Sequence, residues 1–500
     1  LAVNGLINRD HSSQFRQKKN QVKKIFFNQY LLLAVLIILA FSVRLYQIDA
    51  PLADWHSWRQ ADTAAVSRNF IKYGYDVFHP RFDDLSNLVS RKDNPQGYRF
   101  VEFPFYNLLH ASLAQSFPFR SLEWWGRMIS ILFSLGSMLF LYFLVRKYLG
   151  QLTAFLTAFL FAFLPFNIYY SRVILPEPMM IFTSLAMVFF FSQWLDKKRL
   201  TGLYYFLFFV FAAISLLLKP FIIFLFPVLF YLAWHKWGWA LLKQWPLYLA
   251  GLAVAPFLLW RWWMSHFPEG IPYYPWLFNH EGIRFKGAFF HWLFGERMGK
   301  LILGYWGLAP FVLGISARIK KEGWLFHWWL LGILLYFTVI AGGNVIHDYY
   351  QIIAVPIICI FLAKGSHFFL FAPKGVFNKP LCYLLLVTCY LFTFAFSWYE
   401  VRGFFNINHP EIVEAGKEAD RILPQGAKVV APYNNDTAFL YQTNRQGWPA
   451  VVDSLDHLIS LGATHYVAVN FDENTQEAIE KFKVLEQTDQ YVIIDLTQRK

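Results

Sequence analysis

The chain alternates between long apolar runs and short polar stretches, and the lengths of the runs decide what they are. Runs at 30–48, 124–145, 152–171, 178–195, 203–218, 220–234, 244–262, 301–316, 325–341, 349–364 and 380–399 approach or reach the ~20 residues that carry a helix across ~30 Å of hydrocarbon. The pattern therefore predicts about eleven membrane-spanning helices. After residue 400 it changes: charges are spread evenly, and β-like runs such as Ala427–Val430 and His465–Val469 alternate with helix-like stretches at 411–422 and 474–482. That change predicts a small α/β domain over 401–500, with a capping or stabilising role as its simplest reading.

The polar connections test the count. If the first run crosses from inside to outside, every second loop should be basic. Those loops and their edges carry Arg146 and Lys147, then Lys197, Lys198 and Arg199, then Lys236 and Lys243, then Arg318, Lys320 and Lys321, and finally Lys364, Lys374 and Lys379. Residues 1–29 are basic as well, which predicts a cytoplasmic N-terminus. An odd number of spans then sends the C-terminal domain to the outer side, leaving a first outer loop at 49–123 and a long one at 263–300. The predicted class is an all-α polytopic membrane bundle with a small extracytoplasmic α/β domain.

Composition agrees and removes one alternative. Apolar residues make up 57% of the chain and charged residues only 15%, too few for a soluble protein of 500 residues. The formal net charge of +13 lies in short inter-span loops, so no nucleic-acid partner is predicted. Cys359, Cys382 and Cys389 sit in apolar runs without ligand spacing, and no dense oxygen cluster suggests Mg²⁺ or Ca²⁺; neither a metal nor another cofactor is predicted.

Sorting the unusual polar residues by predicted side places most of them on one face. Asp54, His56, Arg59 and Asp62 crowd the start of the first outer loop, and Glu102 lies later in it. Arg172 and Glu177 precede the fourth span, Lys219 divides two apolar runs, and His347-Asp348-Tyr349-Tyr350 precedes the tenth span. Ionisable groups at span ends tend to face one another or a water-filled cavity. Each also has a simpler reading. Ser57 with Gln60 forms a capping-box pattern for an interfacial helix running to Tyr73. Glu102 is compatible with a solvated loop, and Glu177 with a helix start between two prolines. Lys219 is able to snorkel to the interface. His347 and Asp348 suit a loop hydrogen-bond pair, and Tyr349 and Tyr350 an aromatic belt.

Taken together, His56-x-Trp58-Arg59-Gln60-x-Asp62-Thr63, Glu102-Phe103-Pro104, Leu175-Pro176-Glu177-Pro178, Leu218-Lys219-Pro220 and His347-Asp348-Tyr349-Tyr350 resemble the bacterial glycosyltransferase-39-like membrane enzymes, relatives of protein O-mannosyltransferases and lipid A aminoarabinose transferases. The resemblance covers residues 30–400. It implies a GT-C fold and transfer, with inversion, of a sugar from a polyprenyl-phosphate donor to a hydroxyl of a lipid, glycan or protein acceptor at the extracytoplasmic face of the inner membrane. An acid just after the first span is then the general base. Asp54 is the nearest positional match, but the relatives often carry adjacent Asp-Glu where this chain separates Asp54 from Asp62, so Asp62 competes for the role. Glu177 matches the second acidic motif, and Lys219 a residue meeting the lipid phosphate.

The chemistry asks for these residue types: a carboxylate to take the acceptor proton, and cations, here Arg59, Arg172 and Lys219, to neutralise the departing phosphate. His56, Glu102, His347, Asp348, Tyr349 and Tyr350 are further substrate-binding candidates. Two alternatives stand beside this reading: a lipid-linked sugar flippase, and an oligosaccharide ligase with a lipid pyrophosphate donor. The loop at 263–300 is long enough to close over substrates.

Overall fold

A computed structural model describes residues 29–196, 199–320, 322–371 and 378–500. The basic segment before residue 29 and the loop lysines Lys197, Lys198, Lys321 and Lys374 lie outside the described residues.

The apolar runs become helices. Helix α1 spans Gln29–Arg44, α4 Leu122–Leu149, α5 Gln151–Phe163, α7 Glu177–Asp196, α8 Thr201–Leu218, α9 Pro220–Lys243 and α10 Trp245–Met264. Between them lie the shorter α2 (Ser57–Tyr73), α3 (Phe105–Ser116) and α6 (Pro165–Tyr170). The bundle continues through α11 (Leu308–Ser316), α12 (Leu325–Val339), α13 (Asp348–Leu370) and α14 (Lys379–Val401). Among the described residues seven helical stretches are long and apolar enough to cross a membrane, and three more are apolar but shorter.

Two expected spans are broken. The run at 152–171 divides at Leu164, because Pro165 cannot donate its backbone nitrogen to the preceding turn and instead opens α6. The run at 301–316 is not one crossing helix: a π-helix over His291–Ile302 ends in a turn where Gly304 and Tyr305 take positive φ, and only nine residues of α-helix follow.

Burial follows hydrophobic pattern. In α13 nearly every position is apolar, and 89% of its most apolar window is buried, so it forms the centre of the bundle. In α10 the corresponding share is 17%, and Leu258, Leu259 and Trp262 face outward. Helices α11 and α13 cross at glycines. A Cβ at Gly314 would collide with the Phe361 carbonyl, and one at Gly365 with the Pro310 carbonyl, the small-residue contact by which apolar helices approach closely.

The C-terminal residues form a five-stranded mixed sheet, with β1 (Lys428–Val430), β2 (Gln446–Trp448), β3 (His465–Ala468), β4 (Phe482–Gln487) and β5 (Val492–Arg499) in spatial order β2-β1-β3-β5-β4. Pairing is parallel among β1, β2 and β3, and antiparallel at β5. The open edge at β2 is covered by residues from the loop after α2: Gly447 N donates to the Asp83 carbonyl at 2.8 Å, and Leu85 N to the Gly447 carbonyl at 2.7 Å. One apolar cluster includes Ala61, Ala64 and Phe70 of α2 together with Ile412, Phe439 and Leu440 of the C-terminal unit. The α/β unit and the loop after α1 therefore share a core.

Candidate functional site

Because successive spans run in opposite directions, the loops after α1, before α7, between α8 and α9, and before α13 meet at one end of the bundle. Their charges pair there. Arg59 Nη2 reaches Glu102 Oε1 at 2.9 Å, Lys219 Nζ lies 3.5 Å from Glu102 Oε2, and the same Nζ lies 3.3 Å from Glu177 Oε1. All four side chains are buried. Burial would raise the Glu102 carboxyl, but Arg59 and Lys219 outweigh it and hold it below the usual carboxylate range.

A second group surrounds Asp348, which is fully buried. His56 Nε2 lies 2.7 Å from its Oδ1, Trp55 Nε1 donates to Oδ2 at 3.0 Å, Tyr170 donates its hydroxyl, and Arg297 Nη1 stands 3.6 Å away. The His347 ring stacks on Tyr349 and lies 5.6 Å from the Trp58 ring.

Between these groups and the C-terminal unit opens a cavity of 710 Å³. Arg59, Asp62, Arg99 and Lys219 form part of its wall, Phe221, Phe257 and Trp260 the side toward the helices, and Tyr349 and Tyr350 another face. The loop at 263–300 supplies Tyr273, Trp276 and Phe278 as aromatic cover, and Asn435 and Thr437 come from the C-terminal unit. The cavity thus has an aromatic side and a cationic one.

The first-loop acids separate. Asp62 lines the cavity, paired with Arg99 Nη2 at 2.7 Å and accepting the Thr437 hydroxyl at 2.7 Å. Asp54 does not line it: its Oδ1 accepts the Gln60 amide at 2.8 Å, and the Gln60 Oε1 accepts Ile174 N, so this pair ties the loop to the segment before α7. The capping-box reading of Ser57 and Gln60 is corrected: the residue before α2 is His56, in left-handed conformation at φ 53°, and no side chain caps the helix. Arg172 also stays away from the cavity, donating to the Gln47 carbonyl at 2.7 Å and lying over Phe405.

Sequence reasoning missed Arg99, Asp84, Tyr170 and Arg297. Arg99 carried a signal, a lone arginine in the aromatic stretch just before Glu102; the others had none. Asp84, buried on the cavity wall, and Asp436, beside it in the C-terminal loop, are both pushed up to about 6 by burial.

Asp436 caps the helix Thr437–Gln442 by accepting Ala438 N at 2.7 Å, and asparagine caps equally well. A folded-state carboxyl that holds its proton to higher pH than the unfolded chain loses stability as pH rises from about 4 to about 6, by up to about 3 kcal/mol. Asp436→Asn is therefore expected to raise the melting temperature at pH 8 and to leave it unchanged near pH 4, read by thermal unfolding in detergent across that range.

Residues 109–263 match the family model described as dolichyl-phosphate-mannose-protein mannosyltransferase. No curated protein matches the chain. Among solved structures the fold is similar to that of ArnT from Cupriavidus metallidurans bound to undecaprenyl phosphate, with a TM-score of 0.64 at 12% identity, covering 93% of this chain and 97% of that one. The apo form of the same protein gives 0.63 at 13% with the same coverage. The Archaeoglobus fulgidus oligosaccharyltransferase tethered to an acceptor peptide gives 0.55 at 10%, covering 95% of this chain and 76% of that one. The chain thus has the fold of these solved structures over nearly its whole length and carries, within it, a segment that matches the mannosyltransferase family model.

Proposed function

We propose that the protein transfers a sugar from a polyprenyl-phosphate donor to an acceptor hydroxyl, with inversion, at the extracytoplasmic face of the inner membrane. The observation that carries this reading is the 710 Å³ cavity at one end of a membrane bundle, with Arg59, Arg99 and Lys219 on a wall that continues into aromatic residues. A donor whose polyprenyl tail stays in the bilayer needs such a junction of apolar and cationic surface. Direct displacement at the anomeric carbon demands little covalent chemistry from the protein: the departing phosphate must be stabilised and the acceptor oxygen must lose its proton. Lys219 and Arg59 meet the first demand, lysine as a point charge and arginine as a planar fork. The second falls to the segment 54–62. Glu102 and Glu177 hold the cations in place, while Arg172 contributes to the frame behind them. Residues 30–400 then form the catalytic unit and 401–500 an outer domain that closes the cavity. The basic alternation of the loops supports that orientation.

The test is transfer of labelled sugar from polyprenyl-phosphate donors by purified protein in lipid, with extracted envelope material as acceptor. Label appearing on acceptor is the expected result. Donor moved across the bilayer without transfer would favour a flippase.

A further inference from the structure

Resting on the transferase reading, we infer that His56, held by Asp348, is the general base that takes the acceptor proton. The Asp348 carboxylate can only accept, so the Nε2 facing it at 2.7 Å carries the hydrogen and Nδ1 is left as the acceptor of the ring. Among the described residues no hydrogen-bond partner takes Nδ1, and the His56 side chain keeps 13% of its surface exposed. Asp348 is fixed on every side, by Trp55 Nε1 at Oδ2, by the Tyr170 hydroxyl at Oδ1 and by Arg297, so it holds the imidazole in one tautomer and one orientation. The left-handed backbone at His56, unusual for a residue other than glycine, lets adjacent residues bond the two oxygens of one carboxylate.

His56 stands directly behind the cavity wall, against one of its aromatic residues. Its ring stands edge-on to Tyr349 at 5.3 Å, and Trp58, which lines the cavity, follows two residues later. Neither first-loop acid is as free. Asp54 is engaged by the Gln60 amide, and Asp62 is engaged by Arg99 and Thr437. In the step, the acceptor O–H proton passes to His56 Nδ1 as the acceptor oxygen bonds the anomeric carbon. The bond from that carbon to the phosphate oxygen breaks, its electron pair leaving with the polyprenyl phosphate. The imidazolium paired with Asp348 then returns its proton to water.

The experiment compares wild type, His56→Ala, His56→Gln, Asp348→Asn, Asp54→Asn and Asp62→Asn in the labelled-sugar assay. Binding of undecaprenyl phosphate and the melting temperature are measured alongside. Expected are a loss of ~10²–10⁴-fold in kcat for both His56 variants with lipid binding kept, and partial recovery of His56→Ala on adding imidazole. Asp348→Asn should lose rate too, without imidazole rescue. His56→Gln retains a side chain able to donate to Asp348, so it reports the base even where the alanine variant fails to fold. Near-normal transfer by His56→Gln, with collapse in Asp54→Asn or Asp62→Asn, would overturn the assignment while leaving the transferase reading intact. A wild type that moves no label from any donor overturns both.

Discussion

Replacing Lys219 with methionine is expected to stop transfer and to lower the melting temperature at the same time. Lys219 is 9% exposed and stands within 3.5 Å of two buried carboxylates, Glu102 and Glu177. Removing its charge leaves Glu177 without an ion-pair partner among the described residues and leaves Glu102 to Arg59 alone. Breaking a buried pair from one side typically destabilises by about 3–5 kcal/mol, because the surviving charge stays desolvated. The effect on transfer has a different origin: a preorganised cation aimed at developing phosphate charge is worth ~10²–10³-fold. The two effects separate in the double variant Lys219→Met/Glu177→Gln. Its second substitution removes the uncompensated carboxylate, so thermal unfolding should recover much of the loss while the transfer assay stays flat. If transfer recovers together with stability, Lys219 only supports the frame.

How much of this arrangement is legible in the chain depends on whether a rule of period or side carries it. The meeting of Glu102, Glu177 and Lys219 is legible because alternate spans return their ends to one face, and charges at such ends seek partners. The same rule brings Arg172 to that face, yet it cannot say which way a guanidinium turns; the Gln47 carbonyl, in the turn that ends the first span, decides that. The hydrogen bond from His56 to Asp348 joins residues 292 apart in sequence. Both segments look reactive on their own, but their register depends on the left-handed turn before α2, which no local pattern marks. The broken run near 301–316 reads as apolar throughout, and hydropathy is blind to the positive φ at Gly304 and Tyr305. Two strands of the C-terminal unit, β1 and β3, fall on the β-like runs at 427–430 and 465–469. That Asn435 and Thr437 reach the cavity depends on docking to α2, a property of the folded surface.

That docking is why Asp62→Ala is expected to be the second most damaging substitution. Asp62 is 3% exposed and holds two things at once: Arg99 through Oδ2 and Thr437, from the C-terminal unit, through Oδ1. Arg99 has no other ion-pair partner among the described residues, and its Nε and Nη1 are buried without hydrogen bonds. Burial already lowers its pKa, with Asp62 as the chief opposing influence. Alanine at position 62 would therefore strand a buried guanidinium and release the threonine, costing about 3–5 kcal/mol for the charge and ~1 kcal/mol for the neutral hydrogen bond. Asp54→Asn should cost far less, since asparagine keeps an oxygen for the Gln60 amide. The double variant Asp62→Leu/Arg99→Met removes both charges and refills the space, and should recover most of the stability lost by Asp62→Ala, as buried pairs replaced by apolar residues often do. A double variant as unstable as Asp62→Ala would place the loss in the seam with Thr437 instead of the ion pair. Limited proteolysis between residues 401 and 427 would then read it as release of the C-terminal unit.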